Sequence, residues 1–345
     1  MFEINIFGES HAKGVGATVN GIRAGFEIDY DKLNLFMKRR KAVSSLTTAR
    51  KEKDEVVFLS GVTNGITNGF PITVFIENKN VRKEDYNKYI PRPSHADFAA
   101  ISKFGYDVDI SGGGFFSARL TAALVALGFI VKEILKLDYN INIYSHIKQI
   151  YDIEDMSFYD LKTKDLELIQ KKDIEIIDDR IKNDIIKKIK NAKAQKDSLS
   201  SSIEVMATGV KAGIGGLFLK RADVVLSSFL FAIPAVKAVS FGKDFKNTKG
   251  SLYNDNFEIS NGEVKLLSNN QAGITGGITN GEDIIATIDL KPTPSIAKEQ
   301  RSVDLKEKKN VSLKIKGRHD PCVGLRAPVI AESMMAFAIM DLISG

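Results

Sequence analysis

Apolar residues recur along this chain at two spacings, and each spacing predicts an element. Phe2-Glu-Ile-Asn-Ile-Phe7 alternates apolar and polar, the period of a strand with one face buried. Between Asp31 and Arg40 the apolar set Leu33, Phe36 and Met37 falls on one helical face. Val56 to Leu59 and Ile72 to Ile76 predict strands, and Ala96 to Phe104 a short helix. The clearest pattern lies in Ser117 to Lys136, where Leu120, Leu124, Leu127, Val131, Ile134 and Leu135 recur at helical spacing. That density predicts a central buried helix.

Further along, Ile141 to Ile147 predicts a strand and Asp178 to Lys196 an amphipathic, lysine-rich helix. Ile203, Val205 and Ala207 alternate, until Ala212-Gly-Ile-Gly-Gly216 breaks the pattern. Val224 to Ile233 predicts a helix. Val236 to Phe241, Asp283 to Leu290 and Val311 to Ile315 predict strands. Ala327 to Ile343 closes the chain as an apolar helix, with Pro328 tolerated in its first turn. Strands and helices mix without a regular β-α-β-α beat, which favours an α+β fold over a doubly wound parallel sheet. No short repeat and no Pro- or Ser-rich linker divides the chain, so residues 1–345 are expected to form one domain.

Composition narrows the function. With 43% hydrophobic and 27% charged residues the chain reads as globular, which argues against disorder. The apolar run Leu120 to Leu135 is broken by Lys132 and Glu133, and the start, Met1-Phe-Glu-Ile4, lacks a signal-type apolar core. Neither predicts a membrane partner. Cys322 is the only cysteine, so no intrachain disulfide forms and a reducing cytoplasm fits. The net charge of +6 permits an anionic ligand without requiring one. Lys162 to Lys196 is the only support for nucleic-acid binding. Its lysines are interleaved with Asp, Glu and Ile, as on a solvated helix face, so no nucleic-acid partner is expected.

Four polar, glycine-containing loops carry candidate chemistry. They are Phe7-Gly-Glu-Ser-His11, Arg92-Pro-Ser-His-Ala-Asp97, Ser111-Gly-Gly-Gly114 with Ser117-Ala-Arg119, and Gly317-Arg-His-Asp-Pro-Cys-Val323. Two more are rich in glycine or proline: Gly273-Ile-Thr-Gly-Gly-Ile-Thr-Asn-Gly281 and Lys291-Pro-Thr-Pro-Ser295. Three of the four histidines, His11, His95 and His319, lie in these loops beside Arg, Asp or Glu. Each alone fits a structural role as well as proton transfer, and the three together point to a site. His146 lies in a plain strand pattern and reads as structural. Gly112 to Gly114 is either a tight turn or an anion site at the start of the following helix. Arg39, Arg92, Arg119 and Arg318 have the fork geometry for phosphate or carboxylate. No Walker loop and no G-x-G-x-x-G fingerprint is present. Metal ligation by Glu9, His95, Asp97, His319 and Asp320 is the rival reading. No H-E-x-x-H or paired-Cys motif supports it, and no metal is expected. Cys322, between Pro321 and Val323, reads as a buried thiol rather than a nucleophile. The residues thus reach an enzyme with an anionic, phosphorylated ligand and histidine acid–base chemistry.

Those loops resemble the signatures of one family. Phe7 to His11, Arg92 to Asp97 and Gly317 to Val323 are similar to the first, second and C-terminal motifs of chorismate synthases. Gly276-Gly-Ile-Thr-Asn-Gly281, Lys291 to Ile296, Thr47-Thr48 and Leu59-Ser-Gly-Val62 follow the family's order and spacing, so the resemblance runs from about Phe2 to Asp341. It implies an α+β sandwich with a helical layer between antiparallel sheets, and usually a homotetramer. It also implies a 1,4-anti elimination of phosphate from 5-enolpyruvylshikimate-3-phosphate, giving chorismate with the help of reduced FMN. On this resemblance His11 protonates the departing phosphate, His95 donates a proton near the flavin, and Asp320 relays the flavin's proton. Ser10, Arg39, Arg92 and Arg119 resemble substrate ligands. Ser117, Ala235, Gly276, Lys291, Pro292, Thr293, Pro294, Ser295 and Arg318 resemble flavin contacts.

The chain also departs from the family pattern. After the triple glycine the family's Arg-Ser-Ser-Ala-Arg-Glu-Thr stands here as Phe115-Phe-Ser-Ala-Arg-Leu-Thr121, which removes one arginine and one glutamate. Ser45 replaces an arginine, Pro234 an asparagine and Ala12 a glycine. Some relatives reduce their flavin with NADPH. Ser45 falls where a nicotinamide contact is expected, so the reading favours an external reductant, with NADPH only if the chain is bifunctional.

Overall fold

The computed structural model describes residues 2–41, 46, 54–79, 86–161, 166–243, 245–315 and 320–345. Strands β1 (Glu3–Gly8), β2 (Gly14–Asn20), β3 (Val57–Ser60) and β4 (Ile72–Glu77) form one antiparallel sheet in the order β1-β2-β4-β3. Strands β5 (Asn142–Ile150), β6 (Ile153–Glu154), β7 (Ser201–Thr208), β8 (Val236–Phe241) and β9 (Ile284–Leu290) form a second, in the order β8-β9-β7-β5-β6. Every pairing in it is antiparallel. The helices used below are α1 (Tyr30–Arg39), α2 (Asp97–Phe104), α3 (Thr121–Tyr139), α4 (Lys182–Ala194), α5 (Ala222–Phe231) and α6 (Ala327–Ser344).

Helices α3 and α6 pack on each other between the sheets, α3 against β2 and β4, and α6 against β5 and β7. This is the α+β sandwich expected from the sequence. Register explains the strand patterns. Ile143 pairs with Ala207, which pairs with Ile284, so one row of apolar side chains crosses three strands. α3 is buried from Thr121 to Val131 and again at Ile134 and Leu135. α6 is buried from Ala327 to Met340. The segment Val323–Ser344 is long and apolar enough to cross a membrane, yet it lies inside the sandwich. Gly128 of α3 lets the two helices meet, since a Cβ there would overlap the side chain of Ser333.

α1 carries Leu33, Phe36 and Met37 on its buried face, with Asp29 capping its start by accepting from the Lys32 amide. The predicted helix over Ser117 to Lys136 begins later, at Thr121, because Ser117 caps a separate tight turn over Ala118–Leu120. The lysine-rich helix is likewise shorter than predicted, its first turn being a tight one over Asp179–Ile181. β2 escapes the alternation rule for a physical reason. Its Gly14 and Gly16 leave room for the rings of Phe75 and Phe7, which supply the apolar cover from neighbouring strands.

Candidate active site

β1 ends at Gly8, with φ +89°, and the chain turns through Glu9 to Lys13 before β2. Asn78, just past β4, clamps that turn: its amide nitrogen Nδ2 donates to the carbonyls of Glu9 at 2.9 Å and Ala12 at 3.0 Å. The clamp holds His11 in a buried position, with Nδ1 3.3 Å from the Ser10 hydroxyl and the Tyr86 ring edge-on at 5.5 Å. The Ser10 amide donates to the Gly114 carbonyl at 3.1 Å, which joins this turn to the triple glycine.

Gly112, Gly113 and Gly114 have φ of +58°, +93° and +50°, three successive left-handed residues that only glycine adopts without strain. Their missing side chains also make space. A Cβ on Gly112 would overlap the His11 imidazole. A Cβ on Gly113 would lie 3.4 Å from His95 Cε1 and 3.5 Å from its Nε2. Two histidines 84 residues apart in sequence therefore flank consecutive glycines of one turn.

The His95 loop is held by Asp97, in the first turn of α2. The Asp97 carboxylate accepts from the Arg92 amide at 3.0 Å and from Arg92 Nε and Nη2, each at 2.7 Å. It also lies 2.7 Å from His95 Nδ1. Burial pushes this carboxyl up, but the hydrogen bonds from Arg92 and His95 outweigh it and hold it well below the usual carboxylate range. The Arg92 guanidinium lies over the Tyr86 ring at 5.0 Å, so Tyr86 touches both histidine loops. The hairpin of β10 (Glu299–Asp304) and β11 (Lys309–Lys314) leans on the same loop, Ser302 Oγ donating to the Pro91 carbonyl at 2.5 Å.

Beside the triple glycine, Arg119 is buried and donates to Asn78 Oδ1 at 2.9 Å, and it pairs with Asp54. Arg40 shares that carboxylate at 3.1 Å and donates to the Ala118 carbonyl and to Thr121 Oγ1, both at 3.2 Å. Two guanidiniums on one carboxylate leave a net positive charge at the start of α3. Arg39 is placed elsewhere. It is half-buried and pairs with Glu175, at 2.7 Å, and Glu332, at 2.5 Å, so both edges of its fork are engaged. Neighbouring helical residues point about 100° apart, and it is Arg40 that turns toward the site.

The remaining expected residues form a second rim. Lys291 Nζ donates to the Ser94 carbonyl at 2.5 Å, and its amide donates to the carbonyl of Ala235 at 2.9 Å, where the chain has φ +76°. Thus Lys291 joins the Lys291–Ser295 loop to the His95 loop directly, and Ala235 is tied to it through Lys291. Burial, and the charge of Lys237, lower the Lys291 ammonium. Ser198 Oγ donates to the Thr293 carbonyl at 2.7 Å, and the Leu199 amide to the Pro321 carbonyl at 2.7 Å, so Thr293 and Pro321, the neighbour of Asp320, are both held by the residues just before β7. Asp320 itself lies 3.3 Å from Arg326 Nε. Gly276 belongs to a separate hairpin, Ile274–Thr275 with Ile278–Thr279, packed on the start of α5 through the Gly277 carbonyl. Arg318, His319, Ser45, Thr47 and Thr48 lie outside the described residues. Cys322 is fully buried and its thiol is pushed up to about 11, chiefly by burial. Among the described residues no three His, Cys, Asp or Glu side chains gather as a metal would need.

A family model described as chorismate synthase matches residues 2–343. The chain belongs to the chorismate synthase family. A chorismate synthase of Pyrococcus abyssi is 41% identical over 99% of this chain and 95% of its own length. One of Methanobrevibacter smithii is 39% identical over 99% and 94%, and one of Chitinophaga pinensis 36% identical over the same shares. A crystal structure of chorismate synthase superposes with a TM-score of 0.77 at 27% identity, covering 99% of this chain and 91% of that one.

The departures from the family pattern now have places. Phe115 and Phe116 are exposed beside the triple glycine, and Leu120 is buried in the core. Sequence reasoning missed Arg40, Asn78 and Asp54. Arg40 had a signal in the Arg39-Arg40 pair. Asn78 and Asp54 are lone polar residues after or before strands, with no pattern to mark them.

Proposed function

We propose that this chain catalyses the elimination of phosphate from 5-enolpyruvylshikimate-3-phosphate to give chorismate, a carbon–oxygen lyase step of the shikimate pathway. The observation that carries the reading is the meeting of His11 and His95 on Gly112 and Gly113. That arrangement sets two proton carriers on one turn, next to a region of net positive charge around Arg40, Arg119 and Asp54. A phosphorylated substrate would be drawn to those guanidiniums and bound through charge-assisted hydrogen bonds.

The rim residues fit reduced FMN. Thr293 Oγ1 is buried and hydrogen-bonds to nothing among the described residues, and a Cβ on Gly276 would meet nothing within 4 Å. Lys291, Pro292, Thr293, Pro294 and Ser295, with Ala235, Ser117, Gly276 and Arg318, are the residues proposed to hold it. The chemistry bound FMN supplies is a transient loan of electron density, with no net redox change. The chain's own residues do the rest. His11, next to Ser10, holds a proton for the departing phosphate oxygen. His95 exchanges its proton through Nε2, and Asp320 is the residue proposed to relay the flavin's proton. Arg92 keeps the His95 loop in place. Arg39, bound to Glu175 and Glu332, supports the site from behind rather than binding substrate.

Five further readings belong to this proposal. The chain is one domain, since α3 and α6 tie both sheets together. It works in the cytoplasm as a homotetramer. An external reductant supplies the flavin's electrons. No membrane or nucleic-acid partner is required.

The test is an anaerobic assay with purified protein, reduced FMN and the phosphorylated substrate, following chorismate absorbance and phosphate together. Equal amounts of both products are expected, with His11→Ala lowering turnover by about 10²–10⁴-fold. Flavin binding without either product would overturn the reading and point to the Phe115–Leu120 replacement.

A further inference from the structure

His95 has two neighbours at the same nitrogen. Its Nδ1 lies 2.7 Å from Asp97 Oδ1 and 3.3 Å from Arg92 Nη2. A guanidinium only donates, so a bond from Arg92 would need a bare Nδ1 lone pair. That lone pair would then face a carboxylate oxygen at 2.7 Å, which is repulsive. A proton on Nδ1 makes the shorter contact a charge-assisted hydrogen bond. Nε2 is then left facing the Gly113 turn, where Gly113 has no side chain to intrude.

We infer that Asp97 is the positioning residue that fixes the His95 proton on Nδ1 and reserves Nε2 for proton exchange in the site. This rests on the reading of His95 as a proton carrier. Asp97 is suited to the task because it cannot turn. It is 1% exposed, and three bonds from Arg92 fix both its oxygens. The residue acts through His95 and need not touch substrate.

Asp97→Asn tests it sharply. An asparagine has one acceptor oxygen, which the Arg92 cation would claim. Its NH2 would then face His95 Nδ1 and force the proton to Nε2, the wrong tautomer. Carboxylate-to-amide changes of this kind lower kcat by about 10⁴-fold where a histidine must exchange protons at one nitrogen. The expected result is a 10²–10⁴-fold loss in kcat, with KM within about threefold. In the His95→Ala background the same change should cost nothing further, because the two act as one unit. Nitrogen-15 NMR of wild-type protein, with His95→Gln assigning the signals, should show Nδ1–H at a pH where the ring is neutral. An Nε2–H tautomer in the wild-type protein, or a kcat loss that adds fully to that of His95→Ala, would overturn the inference. The wild-type spectrum decides even if Asp97→Asn does not fold. If His95→Ala leaves turnover intact, the reading of His95 as proton carrier fails, and the spectrum still answers for Asp97.

Discussion

His146 has no exposed surface and lies between two carboxylates, with Nε2 3.0 Å from Glu204 and Nδ1 3.3 Å from Asp155. Burial alone would lower its pKa, but the hydrogen bonds and charges of Asp155 and Glu204 win and raise it above 6.5. A raised folded-state pKa means the charged ring stabilises the fold. That contribution is full below the unfolded value and is lost as pH rises through the folded one. Each unit of elevation is worth about 1.4 kcal/mol. The stability advantage of wild type over His146→Gln, from urea midpoints, should therefore shrink between pH 6 and pH 9. A constant difference would show that folding does not raise the His146 pKa. The sequence marked this histidine as structural from its strand pattern, but not its partners. Glu204 pairs with it across β5 and β7, and Asp155 comes from beyond β6. The same limit separates Arg39 from Arg40. Both are visible in the sequence, whereas their directions depend on where α1 lies against α3.

At the scale of elements, glycines decide how closely things approach. The α3–α6 contact at Gly128 and Ser333 is tight enough that a single methyl must displace a neighbour. Gly128→Ala gains up to about 1 kcal/mol in helix propensity but overpacks the core, which costs about 1–3 kcal/mol. A net loss of thermal stability is expected. Adding Ser333→Gly should recover much of it, beyond what the two separate changes predict. Simple additivity in a double-mutant cycle would disprove the close contact. The strong apolar period made α3 legible from sequence. β2 was missed because its glycines erase the alternation, and the cover comes from Phe7 and Phe75 on other strands. The start of α3 was placed four residues early because the capping role of Ser117 belongs to a separate turn.

Across the whole molecule, one buried network joins elements that local patterns treat as unrelated. Glu332 of α6 accepts from Arg39 at the end of α1, from Lys132 of α3 at 2.5 Å, from Ser145 of β5 at 2.7 Å and from Gln170 at 3.0 Å. Burial raises the Glu332 carboxyl, but Arg39 and Lys132 overcome it and hold it below its usual range. Removing one partner of such a group leaves uncompensated buried charge, at a cost of about 3–5 kcal/mol. Glu332→Gln should lose stability of that order in urea unfolding. A loss under about 1 kcal/mol would mean the cations reach solvent once released. This network also accounts for Arg39, whose two carboxylates arrive from 136 and 293 residues away.

The sequence by itself determined most of the long strands and helices, β2 excepted, and that the fold is α+β, and it marked the loops in which His11 and His95 lie. Those properties are written in local periodicity and in short motifs, each within a few residues. The tertiary structure alone decided that His11 and His95 share one glycine turn, that Arg40 rather than Arg39 faces it, and that Asp97 holds His95. Such choices depend on contacts between distant segments and on a rotation of about 100° per helical residue. A one-residue difference in facing leaves no trace in composition or spacing, yet it determines which guanidinium reaches the start of α3 and which is held by Glu175 and Glu332.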